Sequence, residues 1–239
     1  MPPAISLIVP VFNIAPYIGA CLTSIRDQRF TDFEVIIVND GSTDDSLDVI
    51  SNAIADDPRF RVITQLNGGL SAARNAGLDT VQGDVIGFVD GDDWLDPEYL
   101  RLMQDALTET GADWVSCGLW SDHGDGGAFI HSTVHDATKL SEDASGTVLE
   151  DMTSWTGVVR HFPSAWNKLY RRELIGDTRF PVGLLYEDHP FFCACASRTT
   201  QMARVPRALY HWRQDRDGRI SADTTRVFQQ FEILDQLAP

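Results

Sequence analysis

The sequence predicts an α/β fold: a mainly parallel sheet flanked by helices, with a smaller C-terminal portion. Short apolar runs alternate with stretches of helical period through the first half of the chain, the pattern of repeated strand–helix units with right-handed crossovers. The runs are apolar along their whole length rather than at every second residue, as in strands covered on both faces. A length of 239 residues, with 43% hydrophobic and 23% charged residues, suits one soluble globule with a substantial core.

Residues 5–11 read as the first strand, stopped by Pro10 and followed by Phe12 and Asn13. Pro16 opens a helix whose Ile18, Cys21, Leu22 and Ile25 fall at helical spacing. Residues 33–38 form a second buried strand. The turn of residues 39–45 follows, with Gly41 at its centre and Thr43 or Ser42 as cap of a helix running to Ile54. Residues 61–64 are a third strand, ending in Asn67-Gly68-Gly69, and residues 71–78 are a small-residue helix carrying Arg74 and Asn75. Residues 85–89 are the fourth strand and run directly into Asp90-Gly91-Asp92-Asp93. Asp96-Pro97-Glu98 then starts a helix that ends near Gly111. All four polar turns lie at the carboxyl ends of strands, where open α/β sheets keep their ligand crevice.

The later residues are less regular. Residues 112–119 read as a strand, and 121–146, polar and aperiodic, as a long loop or an irregular hairpin. Helices are expected over 149–161 and 191–196, a strand over 203–212, and an amphipathic helix over 224–237 with Val227, Phe231, Ile233, Leu234 and Leu237 on one side. The expected division is 1–119 and 120–239, two portions of one continuous domain. The chain stops without a polar tail, as the front part of a longer protein would.

A formal net charge of −16 excludes sequence-independent nucleic-acid binding and broad adhesion to anionic lipid, although a local basic patch could still reach a membrane. Cys21, Cys117, Cys193 and Cys195 match neither a zinc pattern nor a C-x-x-C redox pair; Cys21 and Cys117 sit in apolar segments, and a reducing, cytoplasmic compartment fits. No signal-peptide pattern and no bilayer-length apolar run occurs. The acidic turn holds three carboxylates that repel one another. Mg2+ or Mn2+ relieves that repulsion, since these ions prefer oxygen ligands, take one or two carboxylates and leave positions for phosphate oxygens. Taken alone, a D-x-D of this kind reads better as a solvated turn with a helix cap.

Six segments, taken together, resemble the successive motifs of the family 2 inverting glycosyltransferases. They are Val9-Pro10-Val11-Phe12-Asn13, Val38-Asn39-Asp40-Gly41-Ser42-Thr43-Asp44, Asn67 through Gly77, Phe88-Val89-Asp90-Gly91-Asp92-Asp93-Trp94, Trp166-Asn167-Lys168-Leu169-Tyr170 and Tyr186-Glu187-Asp188. Six in this order are specific for the family and not for the sugar. The resemblance implies a GT-A fold, with a nucleotide-binding sheet and an acceptor-binding portion made by the later residues. It implies a nucleotide-diphosphate sugar donor, commonly a uridine diphosphate sugar, and a glycan, cell-surface polymer or other hydroxyl acceptor. Pro10 and Phe12 would frame the base, Asp40 would bind its edge, and Asn67 and Arg74 would bind base and phosphate or ribose. Asp90 and Asp92 would hold ribose and an Mn2+ or Mg2+ ion, with His211 as a late histidine ligand, and Lys168 would contact phosphate. Asp188 would be the catalytic base, its pKa lifted by Glu187 and partial burial, with Glu187 orienting it or touching the acceptor. Gly91 stands where many relatives have serine. Membrane contact, at the inner face, would be peripheral, through the acceptor or a missing region.

Each residue also has a plainer reading. Glu187-Asp188 could simply start a helix, Asp40-Gly41 could be a turn, Lys168 with Arg171 and Arg172 a basic surface, and His211 a packed neutral ring. Trp94 and Trp166 read as core or rim aromatics. Arg213, Arg216 and Arg219 read as a lid over the diphosphate or as a solvated loop. Two other functions compete. One is a catalytically silent sugar-nucleotide-binding module, against which the intact acidic motifs speak. The other is a nucleotidyltransferase, which lacks here a basic, Gly-rich loop after the first strand.

Overall fold

The computed structural model describes residues 1–122, 128–131, 146–158, 161 and 163–214. Strands β1 (Ile5–Val11), β2 (Phe33–Asn39), β3 (Phe60–Thr64) and β4 (Val85–Phe88) are linked by helices α1 (Ala15–Arg26), α2 (Ser46–Ile54) and α3 (Leu70–Leu78). β1 pairs in parallel with both β2 and β4, and β2 with β3. The expected strand–helix alternation and the common carboxyl edge are both present in this half.

The second half makes the sheet mixed. It comprises β5 (Trp94–Leu95), α4 (Tyr99–Thr110), β6 (Trp114–Asp122), β7 (Ala128–His131), β8 (Val148–Asp151), α5 (Trp155–Val158), β9 (Lys168–Arg171), α6 (Arg172–Ile175), α7 (Asp188–Ala196) and β10 (Gln201–Arg213). The strand order is β3-β2-β1-β4-β9-β6-β10-β5, with β7 beside β6 and β8 beside β10. β9 runs antiparallel to both β4 and β6, while β10 is parallel to β6 and antiparallel to β5 and β8. One sheet thus carries residues from both halves of the chain.

Side chains alternate across the sheet as strand geometry requires. From β1, Leu7 and Val9 pack with Ile18, Leu22, Leu100 and Met103, whereas Ile8 packs on the opposite face with Ala73, Phe88, Tyr170 and Phe191. Helix α3 lies so close to β1 that a Cβ on Gly77 would sit 2.5 Å from Ile8 Cγ2. This contact fixes the depth at which α3, and with it Arg74, meets the sheet.

Two expectations are corrected. Residues 149–161 are not one helix: Val148–Asp151 is a strand against β10, and only Trp155–Val158 is helical. The ladder offered by β10 overrides the local helical spacing, as tertiary context does with propensity. Neither Ser42 nor Thr43 caps α2. Asp44 Oδ1 accepts from the Ser46 amide (3.0 Å), and Ser42 Oγ accepts from the Asn13 amide instead (3.1 Å). In the aperiodic region, β6 and β7 pair antiparallel. The helix expected over 224–237, like Arg216 and Arg219, lies outside the described residues. The four cysteines are free thiols. Among the described residues, no helix is long and apolar enough to cross a membrane.

Gly77→Ala should overpack the α3–β1 contact and lower stability by about 1–3 kcal/mol. Urea unfolding of the full chain reads this directly, and an unchanged midpoint contradicts it.

Candidate active site

The turns after β1, β2 and β3 are laced together at the carboxyl edge. Asp40 is buried, and its Oδ1 accepts from Gln65 Nε2 (2.7 Å) and the Gly68 amide (2.9 Å) while its Oδ2 accepts from the Gly69 amide (2.8 Å). Asn67 Nδ2 donates to the Asp40 carbonyl at 3.1 Å. Gly41 has φ +74°, and a Cβ there would lie 2.9 Å from the Asn67 nitrogen, so the turn needs glycine twice over. Asn13 Oδ1 accepts from the Thr43 amide (2.8 Å), tying the first turn to the second. Pro10 is buried within β1, but Phe12 is 47% exposed at its end, an apolar ring facing solvent beside Asp40's turn.

Arg74 organises the other side of the edge. The resemblance gives it to the donor, but the structure gives its terminal nitrogens to protein carboxylates. Its side chain is 1% exposed; Nη2 donates to Asp90 Oδ1 (2.8 Å), and Nη1 donates to Glu187 Oε1 (2.6 Å) and Asp188 Oδ1 (2.5 Å). Its guanidinium lies 5.1 Å from the centre of the Phe180 ring. Burial opposes the charge, yet the carboxylates of Asp188, Asp90 and Glu187 outweigh it and raise the pKa further. Asp90 is raised, first by burial, with Arg74 pulling down and Asp92 and Asp188 pushing up. Glu187 is pushed up to about 7, chiefly by burial, against the pull of Arg74. Asp188, the first residue of α7, also receives the Ala165 amide on Oδ2 (3.1 Å).

Asp93, Tyr210 and Arg213 form a layer that the motifs did not reveal. Asp93 is buried; its Oδ2 accepts from the Tyr210 hydroxyl (2.8 Å) and its Oδ1 from the Arg213 amide (2.8 Å). That hydroxyl also accepts from the Asp90 amide (3.1 Å), so Tyr210 ties both ends of the acidic turn. Burial, then Asp92 and Asp90, pushes the Asp93 carboxyl well above the usual range. Arg213 Nε donates to the Asp92 carbonyl (2.8 Å), and its guanidinium lies over the Trp94 ring (4.7 Å) and the Tyr17 ring (5.2 Å). Arg213 is therefore fixed to the acidic turn, not part of a solvated loop. A Cβ on Gly91 would lie 2.5 Å from Ile14 Cδ1 and 3.0 Å from the Pro10 carbonyl oxygen, so a serine there would push against α1's entry.

Two expected site residues are elsewhere. Lys168 is buried, and its Nζ donates to the Ser164 carbonyl (3.0 Å), Ser164 Oγ (3.2 Å) and Asn167 Oδ1 (2.9 Å). It does not reach outward to phosphate, because β9 is an interior strand between β4 and β6. His211 is not among the acidic-turn carboxylates. Its ring stacks on Trp94 (5.0 Å between centres) and near Trp120 (6.2 Å); burial lowers its pKa, while Asp96 and Asp122 oppose that. The reason is strand parity: Tyr210 and Trp212 both pack on Trp166, so His211 between them faces the other way.

The acidic turn nevertheless suits a hard divalent ion. Asp92 is half-buried, and Asp90 is 24% exposed with Oδ1 held by Arg74; both offer oxygen, and their mutual repulsion contributes to the raised pKa of Asp90. No group of three or more His, Cys, Asp or Glu side chains among the described residues is arranged to hold a metal. One or two carboxylates, with phosphate and water completing the shell, is the mode in which Mg2+ or Mn2+ binds at phosphate sites.

The family model for Glycosyl transferase family 2 matches residues 6–179. The chain belongs to that family. It is 37% identical over 219 residues to EpsH of Bacillus subtilis (strain 168), covering 88% of this chain and 61% of EpsH. It is 35% identical over 192 residues to the glycosyltransferase GlyA of Streptococcus pneumoniae, covering 77% of this chain and 27% of GlyA. The chain thus spans about three fifths or less of these relatives. Among solved structures, S. aureus TarS 1–349 in complex with UDP-GlcNAc superposes with a TM-score of 0.77 at 24% identity, over 94% of this chain and 61% of that one. The mannosyltransferase PcManGT of Pyrobaculum calidifontis, in complex with GDP-Man and Mn2+, gives 0.72 at 18% identity over 100% of this chain and 66% of that one. The fold is GT-A.

Arg74→Met should strand Asp90, Glu187 and Asp188 together in the interior, at a cost of about 3–5 kcal/mol. Freed of the guanidinium, the Asp90 and Glu187 carboxyls hold protons to higher pH when folded than when unfolded, where they titrate near about 4. The variant's stability should therefore fall as pH rises through and beyond about 7, where Glu187 already titrates beside Arg74. Denaturant unfolding at pH values on either side of that point tests this; a deficit independent of pH contradicts it.

Proposed function

We propose that the chain is the catalytic portion of an inverting, metal-dependent glycosyltransferase, which moves a sugar from a nucleotide-diphosphate donor to a hydroxyl of a glycan, cell-surface polymer or related acceptor. Membership of the family supports glycosyl transfer. The observation that carries the residue roles is the arrangement around Arg74. One buried guanidinium joins Asp90 of the acidic turn to Asp188 and Glu187 at the start of α7, so the donor-side carboxylate and the candidate base share one anchor. A uridine diphosphate sugar is our first choice of donor, in keeping with the UDP-GlcNAc complex of TarS, with a guanosine diphosphate sugar, as in PcManGT, second.

In this reading Phe12, Asp40 and Asn67 line the place of the base, with Pro10 beneath, and Asp90 and Asp92 hold ribose and Mn2+ or Mg2+. A divalent ion bound there supplies Lewis-acid stabilisation for the departing diphosphate. Asp188 is 16% exposed, and each of its oxygens accepts one hydrogen bond, which leaves lone pairs for an acceptor proton. The acceptor oxygen attacks the anomeric carbon as its proton passes to the Asp188 carboxylate. The bond from that carbon to the diphosphate oxygen breaks, its electron pair leaving with the diphosphate. A single displacement inverts the centre, through an oxocarbenium-like transition state by analogy with glycoside hydrolysis. Residues 1–119 would hold the donor and 120–239 the acceptor and base. The reading places the enzyme in the cytoplasm, in peripheral contact with a membrane through its acceptor.

Two tests bear on this. With Mn2+ and a panel of nucleotide sugars, Asp188→Asn should cut turnover by about 10²–10⁴ while donor affinity stays level; full turnover in the variant ends the base assignment. Asp92→Asn should remove the Mn2+ dependence of donor binding, measured by calorimetry with and without chelator. His211→Phe should leave that dependence intact, and the opposite pattern reverses the metal assignment.

A further inference from the structure

Lys168 is a buried charge that the donor-side reading leaves without a task, and its contacts assign one. The Ser164 carbonyl, which accepts from Lys168 Nζ at 3.0 Å, and the Ala165 amide, which donates to Asp188 Oδ2 at 3.1 Å, are the two ends of one peptide group. An ammonium on the oxygen and a carboxylate on the N–H polarise such a group in the same sense, and hydrogen bonds in series strengthen one another. We propose that Lys168 is a positioning residue: its ammonium fixes and polarises the Ser164–Ala165 peptide, whose N–H holds Asp188 in the orientation proton transfer requires. This rests on the reading of Asp188 as the base.

The surroundings are built around that peptide. Lys168 Nζ also donates to Ser164 Oγ and Asn167 Oδ1, and Ser164 Oγ bonds Asn167 Oδ1 at 2.9 Å. Asn167, at φ +56°, is clamped to β6: its Nδ2 donates to the Cys117 carbonyl (2.8 Å), and its own carbonyl accepts from the Cys117 amide (3.1 Å). The Tyr170 hydroxyl donates to the Ala165 carbonyl (3.3 Å), which holds the next peptide along. The Ala165 amide therefore has little freedom to leave Asp188.

Ser164 and Asn167 offer Nζ uncharged acceptors, and burial lowers the Lys168 pKa to about 7. The titratable groups facing it are Asp188 from α7, which favours the charged form, and Cys117 from β6, whose thiol burial pushes up to about 12. Tyr99 from α4 donates its hydroxyl to the Lys168 carbonyl (3.4 Å), and the Phe192 ring centre lies 5.5 Å from Nζ. Asp188 is thus a carboxylate coupled to this lysine, and the peptide is a link between them.

The test follows the Ala165 amide resonance of the 15N-labelled full chain, without ligand, from about pH 5.5 to about pH 9. The proposal expects an upfield inflection near pH 7 as Lys168 loses its proton. The inflection should persist in Glu187→Gln, whose own carboxyl otherwise titrates in the same range, and vanish in Lys168→Met. No inflection in the wild-type chain, or one that survives in Lys168→Met, overturns it. Should Lys168→Met not fold, Lys168→Gln, a neutral donor, takes its place, and the wild-type titration stands by itself. In turnover with whichever nucleotide sugar is active, Lys168 variants should lose about ten- to a hundredfold in kcat with the donor KM unchanged. A raised KM at full kcat would instead mark Lys168 as a donor-binding group and refute the proposal. Failure of the base assignment shows separately, as undiminished turnover in Asp188→Asn.

Discussion

The site depends on one buried cation. Arg74 brings together three carboxylates from two places in the chain, the acidic turn after β4 and two adjacent residues at the head of α7. A buried ion pair barely repays its desolvation, whereas a buried carboxylate cluster without a cation costs far more. What Arg74 contributes is arrangement. A planar guanidinium directs its donors in fixed directions, which a lysine's single ammonium cannot do. The carboxylates consequently have set positions relative to one another before any ligand arrives. Helix α3 delivers the guanidinium at the right depth because Gly77, one turn further along, lets the helix lie directly on Ile8.

The same constraint explains the charge balance. Among the described residues at this edge, the carboxylates of Asp90, Asp93, Glu187 and Asp188 and the acidic-turn residue Asp92 lie with Arg74 and Arg213. Burial first, and then the neighbouring carboxylates, raise the pKa values of Asp93 and Glu187. At half-buried Asp92, Arg213 donates to the backbone carbonyl. In the reading proposed above, a polyanionic donor approaching this edge would need positive charge, and a cation held by the Asp90–Asp92 turn would supply it.

The parallel half of the fold was legible because its signals are local. β1, β2 and β4 are mainly apolar runs closed by turns that carry Asn or Asp, and such runs can hardly be read otherwise, while the edge strand β3 alternates. The site was legible as a list of residues but not as a set of contacts. Arg74 meets Glu187 across 113 residues, and Tyr210 meets Asp93 across 117. No local period carries that information. His211 was misplaced because a strand's alternation says that neighbours point apart without saying which one faces the core. Lys168 was misplaced because a basic residue near Arg171 and Arg172 looks like surface, and only the insertion of β9 between β4 and β6 buries it. Val148–Asp151 paired with β10 for a similar reason: a strand edge elsewhere in the chain settled its conformation.

Those misplaced residues reveal how the two halves of the chain divide the work. The parallel half supplies turns whose form is fixed by glycines and by short bonds among neighbours, as where Asp40 gathers the Gly68 and Gly69 amides. The later half supplies props: Tyr210 and Arg213 brace the acidic turn, and the Ser164–Ala165 peptide braces Asp188. Tyr210 and Arg213 belong to β10, and the Ser164–Ala165 peptide lies in the short loop that leads into β9, so both props are tied to the sheet that holds β1 and β4. A base must sit within a fraction of an ångström of its proton's path to be useful. In the reading proposed above, in which Asp188 is the base, props tied to β9 and β10 are what would give it that precision.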